Sequence, residues 1–244
     1  KTQIVNFLKP KMPIGVRAEV IDPDFINIVI DSTVKFDKNA TLKTLGEIQT
    51  LTSNAIVNFN SDNLDKFDAT LRKSKLVEKI NEADTSIVSN EMTVRIRKSI
   101  GPQAGVSFTK TLEFNQPLKA DNPVDELTQD AHIGKSTPAL SSEVFVYNSI
   151  EGASLRDNGA GVLQVVTVSE DDLVVLAPDT GTIDYETGSV TISNLIITSF
   201  ASGATSGNLK VFVRPVDPDV TGARNDVVLI RPEDTTITVK ELRL

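Results

Sequence analysis

The chain has no cysteine, no tryptophan, one histidine, two tyrosines and two methionines. Without cysteine there are no disulfides, no thiolate zinc sites and no thiol nucleophiles, and the chain suits folding in a reducing cytoplasm. Without tryptophan and with so few tyrosines it lacks the aromatic platforms that sugar-binding clefts use. Long apolar runs are missing as well. No stretch approaches the ~20 residues a membrane-spanning helix needs, and Lys1–Lys11 has no apolar signal core. Basic charge is in deficit: 25 Lys and Arg stand against 33 Asp and Glu, a formal charge of −8 spread over both halves. Nucleic acid would have to be bound against repulsion from its phosphates, so neither nucleic acid nor a membrane is expected as a partner. The first residue is Lys rather than Met, which implies a piece of a longer chain. At 244 residues the chain suffices for one large or two ordinary domains, each able to bury its own core.

What is present begins with alternation. In Phe25–Phe36, Ile26, Ile28, Ile30, Val34 and Phe36 recur at every second position, the mark of a half-buried strand. From Leu42 to Phe59 the apolar residues Leu42, Leu45, Ile48, Leu51, Ala55, Ile56 and Phe59 recur every three or four, predicting an amphipathic helix against that strand. A shorter helix is expected over Lys75–Ala83, capped by Ser74 and presenting Leu76, Ile80 and Ala83. Ile87–Ile100 then reads as a return strand, with Val94 and Ile96 alternating against Arg95 and Arg97. A further strand, Ile14–Ile21, is joined to the first by the Asp22-Pro23-Asp24 turn. These elements predict a two-layer α/β sandwich of order ββααβ over residues 14–101, preceded by a residual N-terminal segment, 1–13.

Gly101-Pro102-Gln103-Ala104-Gly105 breaks the pattern. Residues 102–244 read as a β-rich unit, sandwich or barrel-like, with a long polar loop near 119–142. Its strand candidates are 106–118, 144–150, 162–168, 173–176, 181–185, 189–195, 209–215, 227–230 and 236–241. The fold class expected overall is therefore α+β. The strongest local signal is Gly181–Ile192. Ile183 and Tyr185 share one face, Val190 and Ile192 the next, and Gly188 supplies the positive φ of a short hairpin turn.

Candidate chemistry is thin. His132 lies beside Asp130 in the polar loop, with Ser136 and Ser141 nearby, and reads as a surface residue; nothing supplies a nucleophile elbow or an orienting third group. The carboxylates Asp22/Asp24, Glu170-Asp171-Asp172, Asp217/Asp219 and Glu233/Asp234 do not follow a calcium-loop spacing, and the two Asp-Pro-Asp strings read as turns. Gly152, Gly159 and Gly161 have no Lys-Ser/Thr ending and no helix to follow, so they form a flexible loop rather than a phosphate cradle. No catalytic residue, metal site, cofactor or small-molecule substrate is expected. Arg95, Arg97 and Lys98 form a basic strand face suited to an acidic neighbour. Leu195-Ile196-Ile197 and Val227–Ile230 are apolar on both faces, which suits an interface. The interface candidates are thus Arg95, Arg97, Leu195, Ile196 and Ile197.

Pro23 and Phe25 ahead of the Ile/Val strand, the helix after Thr41, the Phe67–Leu71 turn leading to Ser74, Leu76 and Ile80, and the charged return strand together resemble the baseplate J-like family, specifically the wedge proteins of T-even-like contractile-tailed phages. The string Asp184-Tyr185-Glu186-Thr187-Gly188 resembles a hairpin of phage baseplate and tail proteins. The resemblance implies a non-enzymatic structural protein of the virion's tail baseplate, a late protein assembled in the host cytoplasm. It further implies homodimer contacts, contacts with other wedge proteins, and rearrangement before sheath contraction. Two readings of other classes stay open at this point: a β-rich carbohydrate-binding or adhesion module, and a hydrolase with scattered carboxylates.

Overall fold

The computed structural model describes residues 2–13, 24–120, 138–170, 172–200, 207–222 and 226–242. An N-terminal helix α1 (Thr2–Leu8) runs into a single 3-10 turn, Lys9–Lys11. The strand expected at 14–21, its turn through Pro23, and His132 with its loop neighbours Asp130 and Ser136 lie outside the described residues.

Strand β1 (Asp24–Asp37) buries the alternating set Ile26, Ile28, Ile30, Val34 and Phe36. Helix α2 (Leu45–Asn63) begins later than the periodicity predicts. Thr44 caps it through a reciprocal capping box with Glu47, and that pair of bonds fixes where the helix can start. Leu42 is left outside, fully exposed, and the buried stripe is Ile48, Thr52, Ile56 and Phe59. A two-residue strand β2 (Thr70–Leu71) precedes helix α3 (Lys73–Asn81), which buries Leu76 and Ile80. Ser74 does not cap it. The N-terminus is held from the far end of the chain, where Asp219 Oδ1 accepts from Lys73 N at 2.8 Å. The Asp84 carboxylate then stitches the turn into β3 (Ile87–Ile100) by accepting from the backbone N and the hydroxyl of Ser86 at 2.9 and 2.6 Å, and it pairs with Lys43.

Among the described residues the remaining elements are all strands: β4 (Ser107–Glu113), β5 (Leu140–Ser142), β6 (Phe145–Tyr147), β7 (Ile150–Asp157), β8 (Val162–Ser169), β9 (Asp172–Asp184), β10 (Ser189–Ile196), β11 (Ser199–Phe200), β12 (Leu209–Val213), β13 (Val220–Thr221) and β14 (Asp226–Leu242). Gly152, expected in a flexible loop, sits inside β7 at φ 72°. Two pairs of candidate strands fuse, 173–176 with 181–185 into β9, and 227–230 with 236–241 into β14.

The expectation of a ββααβ α/β sandwich with a β-rich unit after it is overturned. The molecule is mostly β, and one twelve-stranded mixed sheet runs in the order β14-β1-β3-β12-β5-β7-β8-β9-β10-β4, with β6 and β11 attached beside β7. The physical reason is which strands flank β1. Its neighbours are β3, antiparallel, and β14, parallel, which pairs with it from Asp24↔Asp226 to Asp37↔Leu242 with a register shift between Ile28 and Ile30. On its other side β3 takes β12, so the sheet continues where a two-layer sandwich would have ended. The two helices cover one face of its first strands only.

At the opposite end the sheet curls back. After β4, Leu118 N donates to Tyr185 O at 2.7 Å, Lys119 N to Arg214 O at 2.8 Å, and Val216 N to Pro117 O at 2.9 Å. This segment therefore joins the β9–β10 hairpin to the end of β12. Inside the curl lie Leu140, Phe145, Leu155, Leu163, Val190, Ile192 and Val211, all fully buried.

Candidate interaction cleft

Two strand positions carry the geometry of the site. Asn27 of β1 and Arg97 of β3 are paired directly across the ladder, so their side chains share one face. That face is the one away from Ile26 and Ile28, which lie under the helices. Next to it β14 leaves its register: Ile28 pairs with Ile230 and Ile30 with Thr235, so Arg231–Asp234 bulge out opposite Val29 alone. A bulge re-aims side chains, and this one turns charge over the shared face. Arg231 Nε donates to Asn27 Oδ1 at 3.0 Å, and Asp234 Oδ2 lies 2.9 Å from the Arg97 guanidinium. Both members of that pair are buried, with side-chain exposures of 8% and 5%. Burial raises the Asp234 carboxyl above the usual carboxylate range, and the Arg97 charge pulls it only part of the way back.

Beside this cluster opens a cleft of about 770 Å³ between the ends of β1 and β3, strand β4 and the start of β12. Its lining cations are Arg97, Lys98, Lys110, Lys210 and Arg231, and its lining carboxylates are Asp24, Glu113 and Glu233. Lys98 pairs with Asp24 at 2.7 Å and Lys210 with Glu143 at 2.6 Å, while Arg231 stands 3.7 Å from Glu233. Among the described residues Lys110 has no such partner, and Arg97 Nε, although buried, makes no hydrogen bond. The Asp234 Oδ2 beside it is likewise buried without a hydrogen bond, so these are fixed charges held by a sheet and largely met by one another.

The structure does not gather the five interface candidates into one surface. Arg97 enters the cleft. Arg95, on the same face of β3, spends its charge inside the chain on Asp31 at 2.7 Å and stacks over the Phe212 ring at 5.4 Å. The basic strand face is thus met by the chain's own Asp31, Asp234 and Asp24. Leu195 and Ile197 are core residues, 1% and 0% exposed, and only Ile196 faces solvent. Val227–Ile230 are buried on both faces within the chain, since β14 lies between β1 and the α2 terminus, where Asp65 N bonds Val228 O and Phe67 bridges Val227. Sequence reasoning missed Lys110, Lys210, Arg231 and the Asp234–Arg97 pair. The one signal for them was Pro232 inside an apolar β pattern, which marks a bulge.

A second polar centre organises the curl. Asp157 Oδ1 accepts from Leu140 N at 2.8 Å, and its Oδ2 accepts from the Tyr185 hydroxyl at 2.8 Å and from Gly159 N at 3.2 Å. Burial, and then the Asp157 carboxylate, push the Tyr185 phenol well above its ordinary range. Asp157 is 4% exposed, so this is a structural anchor under the β9–β10 hairpin and not a surface site. Among the described residues, no three His, Cys, Asp or Glu side chains converge as a metal site would require.

Compared with known families, residues 24–99 match the model described as baseplate structural protein gp6, C-terminal domain III. The matched part runs from β1 through α2 and α3 to the end of β3. It is a baseplate family, of the kind the resemblance implied, although it is not named baseplate J-like. No curated protein matches the chain.

Proposed function

We propose that this chain is a structural, non-enzymatic part of a contractile phage tail baseplate, a wedge component whose contacts with neighbouring subunits build and rearrange the baseplate ring. The observation that carries this reading is the match over residues 24–99 to a baseplate structural domain. The fold supports it. Strand β1 opens that matched unit, and its neighbours β14 and β3 tie it into a continuous sheet, a rigid body suited to passing load between neighbours. On this reading the chain resides in the virion's tail baseplate after assembly in the host cytoplasm. It meets other wedge proteins and a second copy of itself, and it exchanges interfaces on contraction without a cofactor. Ile196 and Arg95 contribute from the surface, while Arg97, Leu195 and Ile197 shape the contact from beneath. The division near residue 101 is then one between a helix-bearing part and an all-β part of the same sheet.

The test is co-purification. A tagged full-length protein expressed with the other products of its tail gene cluster is expected to bring down baseplate proteins and to label the distal end of intact tails in electron micrographs. A protein that remains alone in the lysate and leaves tails unlabelled overturns the reading.

A further inference from the structure

The curled part of the sheet is left open at a seam. From β3 the ladder runs through β12, β5, β7, β8, β9 and β10 to β4, and β4 pairs with β10 alone. The cleft lies between this last strand and β3. Beside it the ladder forks. β1 and β3 stop pairing at Asn27↔Arg97, yet β1 stays with β14 down to Asp24↔Asp226, and β3 stays with β12 up to Ile100↔Leu209. Among the described residues Lys98, Ser99 and Ile100 therefore have a ladder partner on one side only, and all three line the cleft. Across from them Lys110, Thr111, Leu112 and Glu113 line it as consecutive residues. Successive side chains of a strand point to opposite faces, so an unbroken run of lining residues means that the edge of β4 looks into the cleft.

The two ends of the sheet are finished differently. Outside β14, Asp65 N donates to Val228 O, Phe67 bridges Val227, and Gln49 Nε2 donates to Ile237 O at 3.3 Å. Along β4, among the described residues, no backbone bond reaches the edge away from β10. Such an edge is a row of unpaired N–H and C=O groups, a template for another strand. The gap has the size of one. Five residues of strand are about 17 Å long, take about 4.8 Å in the sheet and about 10 Å between layers, roughly 800 Å³, against a cleft of about 770 Å³.

Net charge does not select the occupant. With Asp234 and Glu143 counted beside Asp24, Glu113 and Glu233, five carboxylates meet the five lining cations. Recognition falls to main-chain hydrogen bonds and to the apolar lining of Phe25, Ile100 and Leu112, of which Phe25 is 41% exposed. A second copy has no strand to give, since every described strand already lies in a sheet. The β8–β9 hairpin leaves Val168, Val174 and Val175 68%, 41% and 42% exposed, but it is two strands wide.

We propose that the seam between β3 and β4 takes one extended segment of a different protein chain, added as a strand along the free edge of β4. The segment carries no net charge and alternates, with its apolar residues toward Phe25, Ile100 and Leu112. On the baseplate reading the donor is a neighbouring subunit, whereas the contact itself is measured on the purified chain.

The experiment is hydrogen exchange of the whole chain, read by mass spectrometry with and without added peptides. The probes are peptides of about nine residues tiling the other products of the tail gene cluster, together with one generic peptide alternating threonine and valine. At least one is expected to bind and to slow exchange across Ser107–Glu113 by about tenfold or more, with an affinity that changes less than about twofold between low and high salt. Consecutive positions of an antiparallel strand alternate between facing the partner and facing away. One of Lys110→Pro and Thr111→Pro therefore removes an outward N–H and spares the β10 ladder; that variant is expected to keep the wild-type melting temperature and to lose peptide binding. A β4 that no peptide protects, proline variants that both bind, or proline variants that destabilise alike would each overturn the contact. So would a β4 already protected in the dilute isolated chain, which fills its own seam, or one protected as the chain's own concentration rises, which means a second copy. Co-purification of baseplate proteins with β4 unprotected removes this contact alone; a protected β4 with no such co-purification removes the baseplate reading and leaves the seam.

Discussion

Replacing Gly188 by Ala tests whether the curled end of the sheet is closed by the segment after β4. Gly188 has φ 75°, and a Cβ built on it would lie 2.3 Å from the Gln116 carbonyl oxygen and 3.2 Å from the Gln116 nitrogen. Both are backbone atoms and cannot rotate away. Relief requires residues 114–119 to move, and they are bonded on two sides: Phe114 N to Gly188 O at 3.0 Å and Leu118 N to Tyr185 O on one, Lys119 N to Arg214 O and Val216 N to Pro117 O on the other. Left-handed strain alone costs about 1–2 kcal/mol, offset by about 0.4–1 kcal/mol from a stiffer unfolded chain. Losing one or two closing hydrogen bonds adds about 1 kcal/mol each. The expected total is about 1–3.6 kcal/mol. Gly105 provides the control, since it has the same φ of 75° with nothing within 4 Å of its built Cβ. Gly105→Ala therefore carries the strain without the clash, for a net of about 0–1.6 kcal/mol. Urea unfolding followed by circular dichroism measures both. Equal losses at the two positions would refute the closure, because the difference between them is the clash with the closing segment.

Three other perturbations address the charges. Asp234→Leu or Arg97→Met alone leaves a buried charge unpaired and is expected to cost about 3–5 kcal/mol, whereas the double variant recovers most of it; a double-mutant cycle in urea with no coupling would show that the pair does not form. Asp157→Ala removes the acceptor of three bonds under the hairpin and is expected to cost more than Tyr185→Phe, which removes one charge-assisted bond worth about 1.5–3 kcal/mol and a longer one accepted from Gly161 N at 3.3 Å; the reverse ranking in thermal melts would place the anchor elsewhere. The Asp84 carboxyl is held down to about 2, chiefly by its bond from Lys43 and then by Ser86. Because its folded pKa lies below the unfolded value of about 3.9, its contribution is complete above about pH 4 and is lost as pH falls toward 2. The melting temperature of Asp84→Asn is expected to be lower than wild type at pH 7 and to fall less steeply over that acid window; parallel curves would contradict this.

What the sequence disclosed followed from the range over which each signal acts. The alternation of Ile26 through Phe36 and the Asp184–Gly188 turn are local patterns, and β1 and the β9–β10 hairpin formed where those patterns predicted. Helix α2 was legible in kind, but Leu42 misled about its start because periodicity continued past the Thr44 cap. The parallel partner of β1 was not legible. Parallel strands need a crossover, and here the crossover is nearly the whole chain, so nothing near Asp24 indicates Asp226. The apolar run Val227–Ile230 did announce that both faces are covered, but not that β1 and the α2 terminus do the covering. Of the cleft, Arg97 was legible as one residue of a basic strand. Its burial was not, because it depends on a bulge that brings Asp234 from the C-terminal strand.

The continuity of the sheet constrains how such a molecule can take part in a rearranging assembly. β12 holds β3 on one edge through Leu209↔Ile100 to Val213↔Ile96 and β5 on the other through Val211↔Ser142 to Val213↔Leu140. The helix-bearing strands and the curled strands thus share one hydrogen-bonded ladder, and a hinge between them would break several backbone bonds at once, each costly if left unpaired. Packed cores do not deform continuously. The low-cost changes are therefore at the periphery: the fixed charges of the cleft, the exposed valines of the β8–β9 hairpin and the outer edge of β14. A chain built this way moves as one body, and on the proposed baseplate reading the energy of a rearrangement is set by which surface contacts it exchanges.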